Sequence, residues 1–130
     1  QIPGDKSINH IYFLNQKAYL SCGFGIVVLD LVKFEITETY YIGDNGDKIN
    51  VNQLSSDGRY FYAATEGGMR KAEILNPFLI DFNSWEVVSD LPDNSGNYSA
   101  VVYFNGRLFV VYKDPVGLAD KIYLESNGKD

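Results

Sequence analysis

Tyr19-Leu20-Ser21-Cys22-Gly23-Phe24-Gly25-Ile26 and Tyr62-Ala63-Ala64-Thr65-Glu66-Gly67-Gly68-Met69 lie on one another without a gap at an offset of 43 residues. Working outward, the same offset sets Ile8-Asn9 on Val51-Asn52 and Ile11 on Leu54. A third copy follows at a wider offset, where Asn105-Gly106-Arg107 leads into residues 108–112 as Asp57-Gly58-Arg59 leads into residues 60–64. A period of roughly 40 to 50 residues, each unit holding several short β-rich runs, is the mark of a propeller blade.

Strand candidates fill each repeat: residues 8–14, 18–22, 26–31 and 35–41 in the first, 51–54, 60–65, 69–74 and 85–88 in the second, and 98–104, 107–112 and 122–124 in the third. Gly, Asn, Asp and Pro punctuate the steps between them. No window sustains 3.6-residue apolar spacing, so helix is minimal. The expected fold is all-β: three four-stranded antiparallel blades at residues 5–43, 48–88 and 97–130, with no outer strand visible in the third. Propellers typically close with about four to eight blades. The chain therefore reads as an open arc, residues 1–130 being part of a larger, seven-bladed propeller. An arc with uncovered end faces should pack on the rest of its own propeller or, in isolation, on itself.

Composition narrows the function. The 11 basic and 17 acidic residues leave a net charge of −6, without a basic run of the kind that grips a phosphate backbone. Nucleic acid and anionic membrane surfaces are poor partners for such a chain. Its longest apolar runs, 26–29 and 108–112, fall far short of the roughly 20 residues of a spanning helix. The ten Tyr and eight Phe suit the space between twisted sheets.

Candidate chemistry is sparse. His10 is the only histidine, and Gln53 stands at its place in the next repeat. Cys22, the only cysteine, ends an apolar strand and reads as a small core residue. A Cys22–His10 dyad has no third group to orient it. Asp44-Asn45-Gly46-Asp47 offers hard oxygen ligands but lacks the spacing of a calcium loop and reads as a turn. Trp85 is either a sugar-stacking platform or a residue covering the edge of an outer strand. No catalytic residue, cofactor or metal is assigned.

Antiparallel blades bring the loop entering each blade and the hairpin between its second and third strands to one side. Asp44, Asn45, Asp47, Phe24, Glu66, Asp93 and Asn94 are therefore the candidate docking face.

Several stretches carry a family resemblance: Gly4-Asp5-Lys6-Ser7-Ile8-Asn9, the run from Lys17 to Leu31 around Cys22-Gly23-Phe24-Gly25-Ile26, Ala63-Ala64-Thr65-Glu66-Gly67-Gly68, and Asp81-Phe82-Asn83-Ser84-Trp85-Glu86. Together they resemble the N-terminal β-propeller of PorZ-type proteins of the type IX secretion system of Bacteroidetes. Gly68-Met69 departs from the plain Gly-Ile of that pattern only conservatively. The resemblance implies a non-catalytic scaffold at the cell surface, outer membrane or periplasm. It would dock other protein components of a complex that processes cargo and attaches it to anionic lipopolysaccharide. Part of the pattern is shared with ligand-sensing propellers of hybrid two-component regulators. That likeness implies the alternative, a periplasmic sensor of oligosaccharides.

Overall fold

The computed structural model describes residues 7–116 and 120–126. The expected outer limits at residues 5 and 130 lie outside the described residues.

Short β-rich runs separated by tight turns give three antiparallel sheets, each built from consecutive strands. Sheet A holds β1 (Ile8–Leu14), β2 (Lys17–Cys22), β3 (Gly25–Asp30) and β4 (Glu35–Tyr40). Sheet B holds β5 (Val51–Ser56), β6 (Tyr60–Thr65), β7 (Gly68–Glu73) and the two-residue β8 (Glu86–Val87). Sheet C holds β9 (Tyr98–Phe104), β10 (Arg107–Tyr112) and β11 (Lys121–Ser126). The first strands of successive sheets lie side by side, as the inner strands of propeller blades do. The helical content of the described residues is two single 3-10 turns, at Asp44–Gly46 and Phe82–Ser84.

Side-chain alternation gives sheet B two apolar faces. Phe61 and Ala63 join Tyr19, Ile26, Val28 and Tyr40 in a core shared with sheet A, whereas Tyr62, Ala64 and Met69 join Leu108, Val110 and Tyr112 in a core shared with sheet C. Trp85 closes the rim of the first core: it is 6% exposed, lies nearly parallel to Phe61 with ring centroids 6.2 Å apart, and donates its Nε1–H to the Leu79 carbonyl at 2.9 Å. A ring so enclosed is no stacking platform, nor does it lie in the outer strand, which begins one residue later.

A β-bulge recurs at the start of each blade. Ile8 pairs with Cys22 and His10 with Ser21, Val51 with Thr65 and Gln53 with Ala64, Tyr98 with Tyr112 and Ala100 with Val111. Asn9, Asn52 and Ser99 are the extra residues, each left out of the ladder. The two asparagines use that freedom to reach the next blade. Asn9 Nδ2 donates to the Val51 carbonyl at 2.8 Å, and Asn52 Nδ2 to the Tyr98 carbonyl at 2.8 Å. Gln53 adds a second link by accepting from the Val101 N–H at 2.9 Å.

The shared pairing corrects the alignment of the third repeat. Tyr98–Tyr112 is the counterpart of Val51–Thr65, so Leu108 corresponds to Phe61 and Arg107 to Tyr60. Asn105-Gly106 thus matches Gly58-Arg59, one residue away from the match suggested by the turn residues. Asn105 and Gly106, with φ of 56° and 79°, form a two-residue hairpin. At the corresponding turn Asp57 instead accepts from the Arg59 and Tyr60 N–H groups. Asp-Gly and Asn-Gly look alike in sequence, but they occupy different steps of the turn.

Gly25 and Gly68 open equivalent third strands with φ of 156° and 114°. A Cβ would run into the Tyr40 carbonyl oxygen at the first and the Asn94 carbonyl oxygen at the second. Gly58 and Gly106 also have positive φ, but face open space. We expect Gly25→Ala and Gly68→Ala each to destabilise by about 2 kcal/mol or more in denaturant titration, and Gly58→Ala and Gly106→Ala by about 1 kcal/mol. Equal losses at all four positions would contradict the backbone overlap.

Ser21 is fully buried between sheets A and B, its hydroxyl without a hydrogen-bond partner, and Ala64 stands at its place in the next repeat. An unsatisfied buried hydroxyl is a cost that alanine removes. Ser21→Ala should raise unfolding stability by about 1 kcal/mol, and a loss of that size would mean that the hydroxyl is bonded.

Candidate functional site

The loop from sheet A to sheet B begins beside β4 and must turn sharply. Asn45 and Gly46 supply that turn with φ of 58° and 81°, and the Asp47 N–H donates back to the Asp44 carbonyl at 3.0 Å. Asp44-Asn45-Gly46-Asp47 is thereby held as a turn. Among the described residues, no group of three or more His, Cys, Asp or Glu side chains comes together as a metal ion would require.

The turn overhangs a groove of about 510 Å³, closed by the β6–β7 hairpin at Glu66-Gly67 and by Asn94-Ser95 of the loop from sheet B to sheet C. Asp44, Asp47, Glu66 and Asn94 line it, so four of the seven candidate residues share one site. Asn45 stands beside it in the turn. Asp93 looks the other way, accepting from the Tyr123 hydroxyl at 3.1 Å in the seam between sheets B and C. Phe24 is a correction: at 4% exposed, it packs with Cys22 and Val27 while its carbonyl accepts from the Ile49 N–H at 3.3 Å. An aromatic ring at the tip of a hairpin is drawn under the neighbouring loop because burial outweighs exposure there. Phe24 supports the face from beneath.

The residue that organises the groove is one that sequence reasoning passed over. Arg70 stands in β7 where the first repeat has Val27, and it is 6% exposed. Its Nη1 donates to the Ile42 carbonyl at 3.1 Å and to Asp44 Oδ1 at 3.2 Å, and its Nη2 donates to the Gly67 carbonyl at 3.1 Å. One guanidinium thus ties the inter-blade loop to the hairpin. A charge interrupting an otherwise apolar alternation was the available signal. Lys48 adds a second cation to the lining, which also holds the carboxylates of Asp44, Asp47 and Glu66. Of these three, Asp44 is engaged by Arg70 and Glu66 accepts from the Asn50 N–H at 3.2 Å.

The remaining reactive groups lie elsewhere. His10 pairs with Ser21, whereas Cys22 is the next residue along β2, so the two point to opposite faces of sheet A and form no dyad. Cys22 is buried, and its Sγ donates to the Leu20 carbonyl at 3.4 Å. Burial holds the His10 imidazole below its ordinary pKa. The groove offers hydrogen bonds and charge, with no base set beside a nucleophile. No helix among the described residues is long and apolar enough to cross a membrane.

Removing Arg70 should unfasten the loop. We expect Arg70→Met to cost about 2–3 kcal/mol, because the bonds from a charged donor to buried carbonyls are lost, and to speed hydrogen exchange at Gly46 and Asp47. Asp44→Asn, at a carboxylate whose side chain is 80% exposed, should cost less than about 1 kcal/mol. Equal costs would move the clamp's strength to the exposed ion pair.

The family model for the PorZ N-terminal beta-propeller domain of the type 9 secretion system matches residues 1–86. Among solved structures, PorZ, described as an essential bacterial surface component of the type-IX secretion system of Porphyromonas gingivalis, superposes with a TM-score of 0.70 at 22% identity. The match covers 93% of this chain and 15% of PorZ, so the chain spans a small part of that protein's length. The computationally designed Ika8 protein superposes with a TM-score of 0.62 at 14% identity, over 95% of this chain and 34% of its own. No curated protein sequence gives a significant match.

Proposed function

We propose that this chain, which belongs to the family of PorZ N-terminal β-propeller domains, is a non-catalytic docking segment of a type IX secretion component at the bacterial cell surface. The observation that carries the reading is the convergence of three carboxylates from two separate segments on one groove whose wall is fixed by Arg70. A wall held this way is preorganised, so a partner meets the acidic rim without first ordering it. The fitting partner is a protein surface presenting lysine or arginine, steered by the chain's net charge of −6. In the parent protein, that partner would be another component of the machinery that processes cargo and attaches it to anionic lipopolysaccharide. Asn94 lines the contact and Asn45 stands beside it, whereas Asp93 faces the seam between sheets B and C and Phe24 contributes only by supporting the loop.

Asp47 and Glu66 are the exposed acids of the rim that lie outside the Arg70 clamp. Asp47→Lys with Glu66→Lys in the full secretion component should weaken capture of its partners at least tenfold in pull-down titrations and impair cargo attachment, with the melting temperature nearly unchanged. Normal attachment by a correctly folded double variant would remove the groove from the docking role.

A further inference from the structure

The connection from β7 to β8 lies at the outer edge of the middle blade, and its apolar residues divide between two directions. Leu79 and Ile74 turn inward onto the core shared with sheet A, which Trp85 closes. Leu75, Phe78 and Ile80 turn outward and are 92%, 66% and 59% exposed. A single exposed apolar residue is ordinary, but three large ones within a stretch of six mark a contact.

The loop's own hydrogen bonds hold these side chains out. Asn76 Oδ1 accepts from the Phe78 N–H at 2.8 Å, and the Phe78 carbonyl accepts from the Asp81 N–H at 2.9 Å and the Ser84 hydroxyl at 2.6 Å. Asp81 Oδ1 accepts from the Asn83 N–H at 2.9 Å, capping the short 3-10 turn that follows. A loop fastened in this way does not fold its tips back onto the core, and a partner meets them already ordered. Beside them lies a hollow of about 440 Å³, lined by Leu75, Asn76, Pro77, Gly58 and the Arg59–Glu73 ion pair.

Charge says what kind of surface covers the tips. From residue 72 to residue 106 the chain carries five acids and no Lys or Arg. An anionic lipid leaflet would repel such a segment. Asp81 directly follows Ile80, so insertion into any acyl layer would also carry a carboxylate toward it. Glu73 is answered by Arg59 at 3.2 Å, whereas Asp81 has no ion pair among the described residues.

We infer that this knuckle is a second docking site, sharing no lining residue with the acidic groove, and that its occupant is another protein. That protein receives Phe78 and Ile80 in an apolar hollow and sets a Lys or Arg at its edge, opposite Asp81. The apolar tips supply the contact area and the lone carboxylate supplies its orientation.

The test is photo-crosslinking in cells that make the full secretion component with benzoylphenylalanine in place of Phe78 and, separately, of Leu75. A conjugate with another protein is expected, mapped to a segment in which apolar residues adjoin a Lys or Arg. In titrations with that protein once purified, Phe78→Ser combined with Ile80→Ser should weaken binding about tenfold or more, with the melting temperature nearly unchanged. Asp81→Asn, which keeps the acceptor for the Asn83 N–H, should leave the remaining binding less sensitive to salt. Conjugates formed only with lipid, or only with a second copy of the component, would overturn the inference. So would the absence of a conjugate from both positions, unweakened binding by the correctly folded double variant, or a salt dependence that Asp81→Asn does not change.

Discussion

A twisted sheet with two apolar faces cannot stand alone in water, and sheet B meets that constraint from both sides at once. Its alternation sends Phe61 and Ala63 one way and Tyr62, Ala64 and Met69 the other, so its stability is inseparable from that of its neighbours. The remaining architecture follows from keeping three such sheets in register. The bulge at the start of each blade removes one residue from the ladder and turns it toward the seam, converting a local irregularity into a link between blades. Glycines at the third strands admit backbone that any side chain would exclude, letting Tyr40 and Asn94 carbonyls approach the hairpin in successive blades.

A second repeated device pins the loops. Arg70 and Tyr123 occupy equivalent positions, paired with Ala63 and Val110 in turn. Each reaches back to an acid in the loop that precedes its own blade, Asp44 for the arginine and Asp93 for the tyrosine. The same geometric task is met by two chemistries. The charged version leaves a groove with an acidic rim, whereas the phenolic version joins a tyrosine-rich seam in which Tyr112 and Tyr123 centroids lie 6.4 Å apart. This difference explains why acids equally placed in sequence part company in space.

The fold was legible because period, turn residues and alternation agree. The strands at residues 8–14, 60–65, 98–104 and 107–112 begin and end where alternation and turns put them. The bulges were not legible, since Asn9, Asn52 and Ser99 read as ordinary strand residues until the pairing shows that each has no partner. The candidate face was half legible. Antiparallel topology assigns loops to one side, which brought Asp44, Asp47, Glu66 and Asn94 together. It does not say which side chains turn inward, and so it missed the burial of Phe24 and the inward reach of Arg70. Those outcomes depend on contacts between segments far apart in sequence.

The asparagine links all point in one direction along the chain. Asn9 waits on a carbonyl at Val51, and Asn52 on one at Tyr98, so each donor belongs to the earlier blade and each acceptor to the later. Synthesis runs the same way. A blade leaving the ribosome therefore carries an open donor at the seam its successor will fill, while its own acceptor has already been met by the blade before it. Within this arc the two links therefore carry a direction: each donor is made before the strand that supplies its acceptor.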